Sequence, residues 1–261
     1  MNRAFSLVEL SIVLVILGLL TGGILAGQSL IHAAELRAVS TERDRYMTAL
    51  GTFRDKYFAL PGDMTNASKF WGAADGSTGS TVGCPTATAA GTCNGDGNGR
   101  ISPFNQPTNG ESLRIWQHLA LAGLIEGSYT GYLNGGTNLV PGENMPRSRY
   151  PNAVWNIFYR ESVNPNPIYG YSGNLMYLSK AETGPSVWDR VMKPEDAWNL
   201  DTKMDDGRPG LGAMMAGGDS TICVTPNVID YDAAGAAAAS TINYNLPEPS
   251  SNACRLWFKL Q

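Results

Sequence analysis

The apolar run at the amino terminus constrains the fold more than any other feature of this sequence. Most residues from Phe5 to Ile31 are apolar or small. A helix over this span is about 40 Å long at 1.5 Å per residue, enough to cross a roughly 30 Å hydrocarbon core. Glu9 places a carboxylate inside the run, where a charge costs about 2.5–3.5 kcal/mol near the centre of a membrane helix. A charge kept at that cost predicts a function for Glu9.

Two ordinary interpretations of the run leave this charge unexplained. A signal peptide would use Arg3 as its basic start and small residues near Ala26 or Ala34 for cleavage, but its apolar region should carry no Glu9. A plain membrane anchor fits the length of the run and gives the carboxylate no task.

The segment from Ala4 to Leu17, AFSLVELSIVLVIL, resembles the processing site of type IV prepilins and type II secretion pseudopilins. In that family a prepilin peptidase cuts a short basic leader before a Phe or Met, and the new terminus is N-methylated. The resemblance places the cut between Ala4 and Phe5 and makes Glu9 the fifth mature residue. Ala4 departs from the Gly usual in the family, although a small residue still fits.

The resemblance implies a structural subunit of a type IV pilus-like filament. Glu9 of an incoming subunit would pair with the Phe5 amine of a neighbouring copy, since a carboxylate in lipid is tolerable when paired. The implied partners are other copies of the chain, the prepilin peptidase and an inner-membrane assembly platform. The implied location is the bacterial inner membrane, then a periplasmic or extracellular filament.

Other interpretations of the whole chain stay open. A pseudopilin of a type II secretion system would carry the same amino-terminal motif. A membrane-anchored ligand-binding module, for calcium or a sugar, could use the same export route. Glu9 could also reach the lipid headgroups from near the end of its helix.

The helical pattern continues beyond the membrane segment. Residues at three- and four-residue spacing form one stripe of an amphipathic helix, interrupted by a single charge: Leu36, Val39, Arg43, Tyr46, Leu50, Phe53 and Tyr57. Pro61-Gly62 ends the run, so we expect one helix from Phe5 to about Phe58. The second half should pack on a globular domain, with a coiled coil as the alternative.

These boundaries divide the chain into a leader (1–4), a membrane and filament-core half (5–31), an amphipathic half (32–58) and a head (59–261). Gly18, Gly22, Gly23 and Gly27 lie along the first half. They predict either a point where the helix melts locally in a filament or close packing between helices.

Short runs of β-branched and aromatic residues predict a head built on an antiparallel sheet. The expected strands are 154–159, 175–178, 222–225 and 255–260, with helices at 111–125 and 194–200 and loops at 75–110 and 233–240. The predicted fold class is α+β, with a long helix packed on a carboxyl-terminal sheet domain.

Four cysteines form two local pairs, Cys84 with Cys93 and Cys223 with Cys254. An even number of cysteines behind an export signal predicts disulfides. Three connectivities are possible, and we favour the sequential one. A metal site is disfavoured because neither pair has CxxC spacing.

Residues 94–101, NGDGNGRI, resemble the start of an EF-hand loop, with oxygen ligands at Asn94, Asp96 and Asn98. Asn105 stands where the loop needs a bidentate glutamate, and Glu111 lies too far along for the usual geometry. Calcium is therefore a possible ligand, and a plain glycine-rich turn is the favoured alternative.

A second acidic cluster comprises Asp201, Asp205 and Asp206, in a pattern that resembles a recurring Asp-x-Lys-x-Asp-Asp-Gly element of large pilin-like proteins. These carboxylates could hold a hard cation or cap turns. We favour capping, since Lys203 neutralises part of the charge.

The sequence disfavours an enzyme. It has two histidines, His32 and His118, and neither a Gly-x-Ser-x-Gly motif nor a phosphate loop after a strand. The formal net charge is -4 and no run of Lys or Arg predicts a nucleic-acid groove.

Overall fold

One helix, α1 (Leu7–Tyr57), extends through the amino-terminal fifth of the chain and ends just before the head. The computed structural model describes residues 7–74, 91–103, 110–132, 139–161, 171–180, 189–217, 222–225, 242–247 and 252–260. Ala4, Phe5, Cys84 and Asn105 lie outside the described residues. The observed bounds of α1 confirm the long helix that the periodicity predicts.

The amino-terminal half of α1 packs on no other part of the described chain. Leu36 is the first buried residue of the helix, and its most apolar window is fully outside the core. By length and composition this half could cross a membrane. The helix passes without a break through Gly18, Gly22, Gly23 and Gly27, and a Cβ added at any of them meets nothing within 4 Å.

The carboxyl-terminal half of α1 buries one face against the head. Its buried residues recur at helical spacing: Leu36, Val39, Glu42, Tyr46, Ala49, Leu50 and Phe53. The predicted apolar stripe is confirmed, with Glu42 as an unpredicted member. Arg43, the interruption in the stripe, is half-buried with its guanidinium carbon 5.8 Å from the centroid of the Phe258 ring.

Four strands form the antiparallel sheet of the head: β1 (Ala153–Arg160), β2 (Gly173–Lys180), β3 (Met214–Gly217) and β6 (Arg255–Lys259). Their order across the sheet is β1-β2-β6-β3. One row of the register aligns Trp155, Leu178, Leu256 and Ala216 across all four strands. The α+β architecture expected from the sequence is confirmed.

Successive side chains of a strand point to opposite faces of the sheet. One set of strand residues therefore packs against α1, and the alternate set faces away from it. Tyr46 of α1 meets the ring of Trp155 at 5.8 Å between centroids. On the other face Tyr177 stacks on Phe158 at 4.0 Å and meets Trp257 edge to face. Both faces are buried, so the strands carry apolar residues at nearly every position.

The remaining described elements surround this sheet. They are α2 (Ser68–Trp71), α3 (Glu111–Leu121), α4 (Pro194–Met204), and the two-stranded pair of β4 (Val224–Thr225) with β5 (Asn243–Tyr244).

Most predicted elements differ from the structure at their ends, by one or two residues for β1, β2 and β6. The expected helix at 111–125 stops at Leu121, since Gly123 adopts a left-handed φ of 71° that turns the chain. The helix from Pro194 continues to Met204, one turn beyond the prediction. Ile222 belongs to a turn, so the expected strand at 222–225 shortens to two residues.

The sequence pattern did not predict β3. Its residues Met-Met-Ala-Gly lack the β-branched and aromatic types that mark strands. Pairing with β6 and complete burial hold this segment extended. The predicted loop at 233–240 lies outside the described residues.

Candidate functional site

Glu9 lies in the first turn of α1, among side chains that face away from the protein. Leu7 is 87% exposed and Leu30 is 73% exposed, and the large apolar residues between them are exposed as well. The predicted processing residues Ala4 and Phe5 lie outside the described residues, so their pairing with Glu9 stays a prediction. The isolated chain thus leaves a long apolar helix surface uncovered.

Glu42 fixes the middle of α1 to the head through three hydrogen bonds. Its carboxylate accepts from the indole Nε1 of Trp155 at 2.8 Å, from the Ser148 hydroxyl at 2.6 Å and from the Arg149 amide at 2.9 Å. Glu42 was not included in the predicted stripe that packs on the head. Its spacing from Val39 and Tyr46, three and four residues away, was the signal that placed it on the buried stripe.

His32 makes the contact to the head nearest the exposed half of α1. Its Nε2 lies 2.8 Å from a carboxylate oxygen of Asp196 in the first turn of α4, and its Nδ1 lies 3.6 Å from Glu35. The Tyr150 hydroxyl donates to the other Asp196 oxygen at 3.4 Å. The hydrogen bond to Asp196 raises the pKa of His32, although partial burial opposes the shift.

Asp63, which the sequence pattern did not identify, organises the glycine-rich loop at 94–101. Its carboxylate accepts amide hydrogen bonds from Gly97 at 2.7 Å, Asn98 at 3.1 Å and Gly99 at 2.8 Å. Burial, reinforced by the charge of Glu111, raises the pKa of Asp63 to about 6. Positive φ angles of 74° and 79° at Gly97 and Gly99 let the amides turn toward this carboxylate.

The fold brings Glu111 to this loop despite its distance along the chain. One Glu111 oxygen accepts from the Asp96 amide at 3.2 Å, and the other accepts from the amide and hydroxyl of Ser102 at 2.9 and 2.7 Å. Single carboxylate oxygens of Asp63, Asp96 and Glu111 lie within 4.8 Å of one another. The buried Arg114 guanidinium adds a positive charge and donates to the Asn94 carbonyl.

The other predicted calcium ligands are engaged in the turn. The side-chain oxygen of Asn94 accepts from the Ser68 amide at 2.9 Å, and that of Asn98 accepts from the Arg100 amide at 2.7 Å. Oxygen ligands are the right chemistry for Ca²⁺, which takes about 6–8 of them. Asp63 and Glu111 already accept three hydrogen bonds each. These hydrogen bonds explain the conformation of the loop without an ion. Calcium binding stays a prediction.

The second acidic cluster caps turns around α4. Asp201 accepts from the Tyr244 hydroxyl at 2.7 Å and the Gly207 amide at 3.2 Å, while Asp205 accepts from the amides of Ala213 and Met214. Burial raises the pKa of Asp201 to about 6. Asp206 accepts from the Arg208 amide at 2.9 Å. These hydrogen bonds are of the kind that a capping role requires. Single carboxylate oxygens of the three residues also lie within 4.8 Å of one another, so cation binding here stays a prediction.

His118 is fully buried and takes part in a series of linked hydrogen bonds. Its Nδ1 accepts from the Gly62 amide at 2.8 Å, so the proton resides on Nε2, which faces the Thr92 hydroxyl at 2.8 Å. That hydroxyl donates onward to Gln117. Burial lowers the pKa of His118 to about 3, so the ring is neutral at physiological pH and holds α3 against the chain after α1.

One of the two predicted disulfides is confirmed. Cys223 and Cys254 are bonded, with their Cα atoms 5.0 Å apart. This bond joins the residue before β4 to the residue before β6. Cys93 is buried, and its predicted partner Cys84 lies outside the described residues.

None of the protein families, curated proteins or solved structures compared with the chain matches it.

Proposed function

We propose that the chain is a structural subunit of a type IV pilus-like filament, cut between Ala4 and Phe5 and assembled through its amino-terminal helix. The observation that carries this proposal is the contrast between the two halves of α1. The second half is anchored in the head by Glu42 and the apolar stripe, whereas the first half is apolar, exposed and carries Glu9.

An exposed apolar helix of this length needs a second environment. A bilayer supplies one before assembly, and the packed helices of neighbouring copies supply the other. The proposed pairing between Glu9 and the Phe5 amine of a neighbour would neutralise the carboxylate in either setting. The glycines at 18, 22, 23 and 27 leave room for close helix packing.

The mass of the mature protein tests the processing step. We expect a protein that begins at an N-methylated Phe5. An intact Met1, or a cut near Ala26, would overturn the proposal.

Glu9→Ala tests the assembly step. We expect filaments to be lost from sheared surface material under the electron microscope, while the thermal unfolding of the head stays unchanged. Normal filaments in this variant would contradict the pairing. A wild-type subunit absent from sheared filaments yet processed at Phe5 would favour the alternative of a type II secretion pseudopilin.

A further inference from the structure

A cleft of about 1080 Å³ opens beside the carboxyl-terminal end of α1. This end lies farthest from Leu7, because the 51 residues of the helix extend about 75 Å. The volume slightly exceeds the range of about 300–1,000 Å³ that small-molecule sites occupy. The cleft therefore faces away from the part of the chain assigned to a membrane or filament core.

Phe58 forms one wall of the cleft in an unfavourable conformation. Its φ of 53° is left-handed, at the position after a helix where glycine is the usual residue. Its amide closes the helix by donating to the Arg54 carbonyl at 2.8 Å. Phe58 is nevertheless 93% exposed, so the left-handed conformation does not bury its ring against the described residues. A strained residue that presents an aromatic ring to solvent indicates a functional constraint.

Two tyrosines add aromatic surface to the cleft. The Arg100 guanidinium lies 4.6 Å from the centroid of the Tyr159 ring, and the Lys259 ammonium lies 5.0 Å from that of Tyr171. A larger residue at Gly173 would displace the hydroxyl end of the Tyr171 side chain.

Groups that form hydrogen bonds lie beside these rings. Arg54 and Asp55, from the last turn of α1, both line the cleft. The Asp55 carboxylate makes no hydrogen bond or ion pair to a described residue. Asn174 also lines the cleft but is committed to the loop at 99–101, where its amide accepts from Ile101 and donates to Gly99. The charged residues that line the cleft are of both signs, with Arg54 opposed by Asp55 and Asp63, and so do not favour a highly charged ligand.

We propose that this cleft binds a neutral oligosaccharide. The apolar faces of sugar rings would pack on Phe58, Tyr159 and Tyr171, and their hydroxyls would exchange hydrogen bonds with Arg54 and Asp55. This inference goes beyond the role as a filament subunit, and its test does not depend on assembly.

The test is calorimetry on the full-length protein in micelles of a detergent without a sugar headgroup. Chitotriose, maltotriose and cellotriose are titrated separately. We expect saturable binding of at least one trisaccharide. Phe58→Gly and Asp55→Ala should each weaken that binding by at least about tenfold. Because glycine tolerates the left-handed conformation, Phe58→Gly should keep or raise Tm.

Phe70→Ala is the matched control, since Phe70 is an exposed phenylalanine near the same helix end that does not line the cleft. It should bind the sugar as the wild type does. The proposal is overturned if no trisaccharide binds saturably to the wild type, or if Phe70→Ala loses affinity as much as Phe58→Gly. Unchanged affinity in Phe58→Gly would also overturn it.

Discussion

The indole nitrogen of Trp155 donates a 2.8 Å hydrogen bond to the carboxylate of Glu42, and so joins the middle of the long helix to the first strand of the sheet. Both residues are buried. The two remaining hydrogen bonds of Glu42 reach Ser148 and Arg149, just before that strand. The three hydrogen bonds of Glu42 thus fix both the position of α1 along its axis and its rotation relative to the sheet.

Glu42→Ala should destabilise the protein by about 3 kcal/mol, because it leaves the buried indole of Trp155 without its acceptor. Glu42→Gln should cost less, since its amide oxygen still accepts a hydrogen bond. Chemical denaturation of the full-length protein in micelles measures both. The matched control is Asp44→Ala, on the exposed side of the same helix turn, with an expected cost under about 1 kcal/mol. Equal losses from Glu42→Ala and Asp44→Ala would contradict this account.

The contact between His32 and Asp196 should make the attachment of α1 to α4 depend on pH. The pKa of His32 is raised in the folded protein, so its stabilising effect is complete below the unfolded value of 6.5. The effect is lost as pH rises through the folded pKa. The difference in Tm between the wild type and His32→Gln should therefore be largest near pH 6 and shrink by about pH 8.

Asp196→Asn provides the control for this titration, because it removes the carboxylate while keeping a side chain of similar shape. Asp196→Asn should remove most of the pH dependence of Tm that His32 contributes. A constant difference in Tm between wild type and His32→Gln from about pH 6 to 8 would rule out the titration of this contact.

Asp201→Asn should become stabilising, relative to the wild type, as pH rises. Burial raises the pKa of Asp201 to about 6, above the ordinary value of 3.8, so the folded protein binds this proton more tightly than the unfolded chain. The wild type consequently loses stability between about pH 4 and pH 7 through this group. Asparagine does not titrate and can still bond to Tyr244 and Gly207. Tm measured for both proteins across this range should diverge in favour of the variant; a parallel course would refute the assignment.

Breaking the bond between Cys223 and Cys254 should destabilise the head. The bond closes a loop with a sequence separation of 31 residues. A loop of this size corresponds to about 3–4 kcal/mol in the chain-entropy view. The paired variant Cys223→Ser with Cys254→Ser should show this loss in denaturant. If its midpoint equals that of the wild type, the bond contributes no stability.

Asp63→Ala should destabilise the loop at 94–101 even with calcium removed by a chelator, because three amides lose a buried acceptor. We expect a loss of about 2–3 kcal/mol. Asp96→Ala, on the exposed side of the same loop, should cost less in the chelator. Calorimetric titration of calcium into the wild type and Asp96→Ala tests the calcium hypothesis separately. A heat of binding in the wild type that is lost in the variant would support the hypothesis. A wild-type heat no larger than that of the variant would contradict it.

Sequence periodicity predicted the elements whose residues decide their own structure locally. The 51-residue helix, the strands around Trp155 and Tyr177, and the start of α4 at Pro194 all follow from spacing or from a local stop signal. The short strand at Met214–Gly217 could not be predicted in this way. Its composition favours no strand, and only the partner β6 holds it extended.

The polar clusters of the head were even less predictable from local sequence patterns. The sequence placed Asp96 and Glu111 apart and gave Asp63 no role, since no local pattern links residues 63, 96 and 111. Their assembly depends on long-range packing of α3 against the chain after α1, which the neutral His118 and Gly62 help to hold.

By itself, the sequence determined a long helix with an apolar, glycine-containing first half, a carboxylate at Glu9 and an amphipathic second half. Those properties follow from the order of residues along one helix. Only the tertiary structure decided that Glu42 meets Trp155, that His32 meets Asp196, and that Phe58 stands exposed at a cleft. Hydrogen bonds and clefts of this kind depend on atoms brought together from distant parts of the chain, and no local periodicity encodes them.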